Sequence, residues 1–373
     1  MKMMKKMLSL LLALLMLMGF AAAETDDMVV AVVNGQEIMY SDYYAVECAY
    51  IDQYQQIGVD TSDTTIYAYL QNMALTYVIE QVLVLQDMTA QGCFNFTEEE
   101  EAWCAEQGKL AWEQALAEVG EMMRETLELS VDEDMGPYAL SYADSLGVTE
   151  QTYVEEYRTQ LAMSYYYAML VGENAVTEED VLLAYVDRVS ESQTLYANDV
   201  VAFENAVYNG QEVWYMPEGY RAVLQILLPA EGETNAERLA SAQNTIDEIY
   251  ARLENGEAFT DLIVEYGIDS NFDDESFFQT GYQVHRESVV WEDAFVAAAF
   301  SEEMAVPGDW SQPFTSDLGV HILYYLGDVP GGEAVLSDAL TEALAYTLYL
   351  EKAEAALAER IDVLADAADV VIY

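Results

Sequence analysis

The hydrophobic period of this chain changes at Tyr220, and that change limits the fold to helical segments flanking one mixed module. Upstream, apolar side chains recur at helical spacing, as in Tyr153, Tyr157, Leu161, Tyr165 and Met169 after Thr149. From Arg221 to Leu228 they alternate and then run together, the pattern of a strand. A helix is predicted from about Ala236 to Glu254, stopping at Gly256. Phe259, Leu262, Ile263 and Tyr266 then form the stripe of a second helix. A loop of no clear period follows. Trp291, Phe295, Ala298 and Phe300 are placed on a third short helix, and Val320 to Leu326 read as a closing strand. Residues 220–328 are therefore expected to form a compact α+β module. After Pro330-Gly331-Gly332 a long helix is expected over roughly Ala334 to Ala365, and Val370-Val371-Ile372-Tyr373 reads as an edge strand.

On the other side of the module, residues 29–38 read as two short strands joined by an Asn34-Gly35 turn, with Ser41 capping a helix that opens Asp42-Tyr43-Tyr44. The segment from about Thr65 to Gln91 is amphipathic and ends at Gly92. Thr97-Glu98-Glu99-Glu100 is a capping box before a helix with Trp103, Leu110 and Trp112 among its apolar positions, and Thr177-Glu178-Glu179-Asp180 opens a shorter helix. Residues 24–215 thus form a helical domain. Its tyrosine stripe serves either inter-helix packing or a surface groove for extended peptides. Residues 189–219 look irregular and polar, a linker or lid ending in Met216-Pro217-Glu218-Gly219. The long helix exposes an apolar face that residues 24–215 can cover, and the strand at 370–373 can pair with the one at 29–33.

Residues 1–23 have the form of a secretory signal. Lys2, Lys5 and Lys6 precede an apolar run from Met7 to Phe20, and Ala21-Ala22-Ala23 supplies small residues for cleavage before Glu24. The run is short for a spanning helix, which needs about 20 residues; an uncleaved anchor is the alternative. No cysteine follows it, so a lipid anchor is not expected. The chain is 53% hydrophobic with a net charge of −55, so it has enough apolar surface for real cores while repelling nucleic acid and anionic lipid headgroups. The same charge attracts cationic polypeptides, although adaptation to salt or a host environment accounts for it equally. Cys48, Cys93 and Cys104 lack C-x-x-C spacing and have only two histidines to help them, so a zinc site is not expected. Cys93 and Cys104 either pair, or all three thiols are small buried apolar groups. No cofactor is called for.

Several motifs occur in a known order. YRAVLQILLP, NGEAFTDLIVEYGID, FVAAAF and GDWSQPFTSDLGVHILYY follow VAVVNGQEI and VTEEDV and precede the long helix. In that order the chain resembles the SurA/PrsA family of exported foldases, which carry a parvulin-type prolyl isomerase module. The resemblance implies an α+β fold: a mainly helical SurA-like chaperone domain with an inserted parvulin-like module. Its segments would be 1–23 (signal), 24–215 (helical domain), 220–328 (parvulin-like) and 333–373 (helix and strand packing on the helical domain). It also implies an extracytoplasmic foldase that isomerises X-Pro bonds in unfolded or partly folded exported polypeptides, with no nucleic acid partner and no stable membrane insertion.

Carried over position by position, the resemblance makes His321 the second site histidine and Asp269 the site acid. Phe295 and Phe300 would wall the proline pocket, with Trp291 where a methionine often stands. Two positions depart from the pattern: Gln225 replaces the first histidine, and SFFQTGYQV replaces a glycine-rich turn. Turning an X-Pro bond breaks no covalent bond, so neither nucleophile nor metal is needed; the site must favour the twisted amide over the planar one. Gln225 can donate and accept hydrogen bonds but cannot titrate, which leaves a non-catalytic holdase as the alternative. A structural role without clients is favoured only by the acidity.

Overall fold

The computed structural model describes residues 27–127, 130, 134–172 and 175–373; the signal-like segment 1–23 and the terminus expected at Glu24 lie outside the described residues. The chain is mainly helical with small antiparallel sheets, and it divides into two compact units, Met1–Val176 with Tyr346–Tyr373 and Thr177–Ala345.

In the first unit, strands β1 (Val29–Val33) and β2 (Gln36–Met39) form a hairpin. Asn34 and Gly35 make the turn, both with positive φ, as a two-residue hairpin requires. Helix α1 (Tyr40–Gln56) starts directly from β2. Ser41, expected as its cap, lies inside the first turn instead, and its hydroxyl donates to the Asp27 carboxylate. Helix α2 (Thr64–Ala90) is capped by Asp63, which accepts from the amides of Thr65 and Ile66, and Gly92 follows it in the left-handed region.

Helices α3 (Glu98–Leu127), α4 (Gly136–Ser145) and α5 (Glu150–Val171) come next. The capping box opening α3 is formed: Thr97 N–H donates to Glu100 at 2.7 Å, and Glu100 N–H donates back to Thr97 Oγ1 at 3.3 Å. Gly108 lets α3 and α5 meet closely, since a Cβ there would fall 2.6 Å from the Val154 backbone. Along that seam Trp103 packs on Tyr157 and Trp112 on Tyr153, so this part of the tyrosine stripe serves inter-helix packing. The three cysteines are free thiols, Cys93 and Cys104 buried and Cys48 half-buried.

The second unit starts with α6 (Glu178–Tyr196), the helix expected after Thr177, and continues with α7 (Val200–Tyr208); the end of α6 from 189 onward and all of α7 are helical where irregular chain was expected. Asp199 caps α7 by accepting from Ala202 N–H at 2.9 Å, and Val200, Phe203 and Ala206 are buried together with Tyr196 and Tyr220. That shared apolar cluster joins 177–208 to the sheet module, and the compact units divide at Val176 and Thr177.

Strand β3 (Tyr215–Met216) precedes β4 (Tyr220–Leu228), α8 (Asn235–Glu254), α9 (Phe259–Tyr266), a 3-10 turn (Ser270–Asp273) and α10 (Phe277–Thr280). The expected loop also contains β5 (Tyr282–Val284). Then come α11 (Asp293–Ala299), β6 (Phe314–Ser316), β7 (Gly319–Val329) and β8 (Gly332–Glu333), which pairs with β3. The main sheet has the order β5-β4-β7-β6 and is antiparallel throughout. One face carries Leu224, Ile226, Leu228, Val320 and Ile322, buried beneath α8 and α9. The opposite face buries Val223, Leu323 and Tyr325 with Phe295 and Ala299 of α11, and the rest of it carries the site.

Helix α12 (Asp338–Ala367) leads back to the first unit, where Ala353 and Leu357 are buried beside Met88 and Tyr166. Arg360 on α12 donates to both carboxylate oxygens of Asp87 at 2.8 Å, and Tyr166 adds a third donor at 2.5 Å. Strand β9 (Val370–Ile372) pairs antiparallel with β1, Val371 opposite Val32.

Candidate functional site

Side chains alternate across a strand, so burying Leu224, Ile226 and Leu228 under the helices turns Gln225 and Leu227 to the other face of β4. On β7, His321 stands opposite Leu227, and on β6 Phe314 stands opposite His321. Gln225 and His321 are thus diagonal neighbours on one face, within reach of each other. The β6–β7 turn depends on Gly319: its φ is +149° and a Cβ would fall 2.2 Å from the Leu228 carbonyl oxygen.

A directed chain of hydrogen bonds crosses this face. The Asp269 carboxylate accepts from Gln225 Nε2 at 2.5 Å and from the Tyr282 hydroxyl at 2.6 Å. With its amide nitrogen so committed, Gln225 offers only its oxygen to His321 Nδ1, 2.9 Å away. Nδ1 must carry the proton, and Nε2 accepts from the Ser316 hydroxyl at 2.6 Å. Ser316 Oγ in turn accepts from Leu318 N–H at 3.0 Å. Both Gln225 and His321 are buried, at 6% and 3% exposure, with every polar atom of the two side chains' working ends engaged. Burial pushes the His321 imidazole down to about 4, against a smaller opposing pull from Asp269. The Tyr282 hydroxyl is pushed up to about 12, first by burial and then by its bond to Asp269. At neutral pH the floor holds a neutral imidazole.

Aromatic rings wall the cleft above this floor. Phe314 stacks on the His321 ring at 4.9 Å, and Phe295 meets it edge-on at 6.1 Å. Trp291 stacks on Phe295 at 4.4 Å, its indole N–H held by the Gln283 carbonyl at 2.9 Å. Leu227, Val290 and Leu318 complete an apolar lining, and the cavity measures 320 Å³.

Of the residues singled out from the sequence, Gln225, Asp269, Trp291, Phe295 and His321 line one cavity. Phe300 does not. It is the C-cap of α11, and its ring carries the guanidinium groups of Arg221 at 4.7 Å and Arg286 at 4.4 Å. Trp291 precedes α11 and is not part of it. Tyr282, Phe314 and Ser316 were not singled out, yet they complete the floor and wall; the alternation Phe-Thr-Ser before a two-residue turn was the signal available. Among the described residues no His, Cys, Asp and Glu cluster could hold a metal ion, and no helix is long and apolar enough to cross a membrane.

No family model matches the sequence, and no curated protein matches it. Among solved structures, the chain is similar to PrsA from Bacillus subtilis (15% identity, 91% of this chain and 93% of that one, TM-score 0.23). It is similar to PrsA from Bacillus cereus, described as a peptidylprolyl isomerase (16% identity, 92% of each chain, TM-score 0.23). A further similar structure comes from a pair described as SurA-like chaperones of Campylobacter jejuni, PEB4 and Cj1289 (15% identity, 93% of this chain and 100% of that one, TM-score 0.30). These carry the family names that the motifs resemble. At such identities and TM-scores the likeness has no functional weight, and the chemistry rests on the side chains themselves.

Proposed function

We propose that this protein is an extracytoplasmic foldase for exported polypeptides, and that the cleft over Gln225 and His321 binds X-Pro segments and eases their cis–trans isomerisation. The observation that carries this is an aromatic-walled cavity over a neutral imidazole whose hydrogen bonds are already satisfied. X-Pro exchange takes tens to hundreds of seconds unaided, because amide resonance must be lost as the bond turns. The twisted amide is less polar than the planar one, so the apolar walls favour it: differential binding with no covalent step.

Each side chain has a place in that scheme. Phe295, Phe314 and Trp291 form the wall for the proline ring. His321 and Ser316 set the floor, Gln225 locks the histidine tautomer, and Asp269 orients Gln225. The clients are unfolded or partly folded exported chains containing X-Pro, and the net charge of −55 favours cationic ones.

One observation favours a second reading. Gln225 is fixed between Asp269 and His321 and cannot exchange a proton with either, so the cleft is suited to grip as much as to catalysis. In that case the protein is a holdase with a degenerate parvulin-like module. Proline-limited refolding of a client by the chain from Glu24 onward separates the two. Catalysis requires faster refolding by the native chain than by Phe295→Ala. A holdase suppresses client aggregation with no change in the proline-limited rate. If the chain neither speeds refolding nor protects clients nor binds proline peptides, the proposal is wrong.

A further inference from the structure

We infer that Glu204, on α7 outside the sheet, is a positioning residue for the X-Pro cleft: it clamps the 288–290 segment so that Val290 and Trp291 stand at the rim. The inference rests on reading the cleft as an X-Pro site.

Glu204 is 5% exposed. One carboxylate oxygen accepts from the Tyr220 hydroxyl at 3.2 Å, which ties α7 to the start of β4. The other faces the segment ahead of α11 and accepts from Val289 N–H at 2.7 Å and the Ser288 hydroxyl at 3.0 Å, with Val290 N–H at 3.4 Å. A buried carboxylate is unfavourable unless donors surround it, and here most of the donors come from three consecutive residues of one segment.

Apolar burial does not hold that segment in place. Val289 and Val290 are 53% and 52% exposed. Upstream, His285 anchors the chain: its Nδ1 accepts from Glu287 N–H at 3.0 Å, so Nε2 donates to the Glu218 carbonyl at 3.1 Å. Between that anchor and α11 the backbone turns on Glu204. Directly after the clamp come Val290 and Trp291, both lining the cleft, with Trp291 stacked on Phe295. Releasing the clamp frees the backbone that aims the indole. The working cleft therefore extends beyond residues 220–328 to a helix that precedes them.

The test uses the full chain from Glu24, with two readouts taken well below the melting temperature. One is deuterium exchange of the peptide spanning Val289 and Val290; the other is the Kd of a fluorescent tetrapeptide containing Ala-Pro. In Glu204→Ala the exchange at 289–290 accelerates and the Kd rises about tenfold, the scale of losing charge-assisted hydrogen bonds. Glu204→Gln keeps an oxygen for the amides and a nitrogen for Tyr220, and restores the Kd to within about threefold of native. A residue with only a structural role would lower the melting temperature without moving the Kd of the folded protein. If Glu204→Ala fails to fold, Glu204→Asp, which withdraws the carboxylate by one methylene, is held to the same two readouts. Loss of protection at 289–290 with unchanged peptide affinity overturns the inference alone. A native chain that binds no proline peptide removes the X-Pro reading, and the inference with it.

Discussion

Acidification is expected to destabilise the fold through His321 before it touches most of the carboxylates. The imidazole titrates at about 4 in the folded chain and near 6.5 in an unfolded one. Between those values the unfolded chain holds the extra proton, so stability rises with pH: it is fully present above about 6.5 and lost progressively as pH falls toward 4. The whole interval is worth about 3 kcal/mol, of which roughly 2 is lost between pH 7 and 5. Burial is the main cause, and the hydrogen-bond geometry acts in the same direction. Protonating Nε2 would aim an N–H at Ser316 Oγ, which already accepts from Leu318 N–H and would have to turn its own hydroxyl proton away. The chain has two histidines, so the Cε1–H resonances can be followed one by one by NMR. Urea unfolding at pH 7 and 5 gives the free energies, and His321→Gln supplies the reference that subtracts carboxylate titration. The variant should lose about 2 kcal/mol less over that interval than the native chain. A His321 resonance titrating near 6.5, or equal losses in both proteins, would refute the buried neutral imidazole.

Replacing Gln225 with histidine should raise kcat/KM in the proline-limited assay, each tenfold gain corresponding to about 1.4 kcal/mol of barrier; an unchanged rate leaves the cleft as a grip. Arg360→Ala removes the leading cause of the depressed Asp87 carboxyl, held at about 2, and strands that carboxylate with fewer donors. Because Arg360 is about one-third exposed, the cost is placed near 2 kcal/mol, below the range for a fully buried pair. Denaturant unfolding measures it, and a double-mutant cycle with Asp87→Asn assigns it to the pair; additive single effects would rule the pair out. Deleting residues 369–373 uncovers the β1 edge that Val370–Ile372 covers, and should lower the melting of the Met1–Val176 unit while the Thr177–Ala345 unit keeps its own transition. Coincident, unshifted transitions would show that β9 contributes nothing.

Local chemistry was the most legible part of the sequence. The capping box at Thr97 and the helix start at Thr177 occur where expected, because each is settled by side chains three residues apart. β4 was readable because alternation followed by an apolar run has few other meanings, and the pairing of 370–372 with 29–33 followed from two short apolar strands each needing a partner. Short elements escaped. β5 and β6 span three residues each, too few to display a period, and α7 was hidden by the polar residues around it despite its Asp199 cap. Ser41 misled because the chain passes from β2 into α1 with no intervening loop for a cap to close. Motif positions singled out Gln225, Asp269, Trp291, Phe295 and His321, which the fold brings to one cavity, whereas Tyr282, Phe314, Ser316 and Glu204 acquire their places only through register and tertiary contact. Phe300 follows Phe295 by five residues, off its helix face, and the turn at the end of α11 sends it to the two arginines.

The antiparallel pairing of β1 with β9 has a consequence for the order in which the molecule assembles. The sheet that holds residue 33 is incomplete until residue 370 arrives, so the edge of β1 stays open until the whole chain between them is available. Left as a flexible loop, that insert of about 170 residues would impose a closure entropy of about 4–5 kcal/mol on the late pairing. The β3–β8 bridge alters this: Tyr215 lies opposite Glu333, and Ala334 N–H donates to the Trp214 carbonyl at 2.9 Å. Once Thr177–Ala345 has folded, its incoming and outgoing strands are fastened side by side, and the remaining chain behaves as a much shorter tether. The inserted unit thus acts as an internal staple that shortens the loop the β1–β9 pairing has to close.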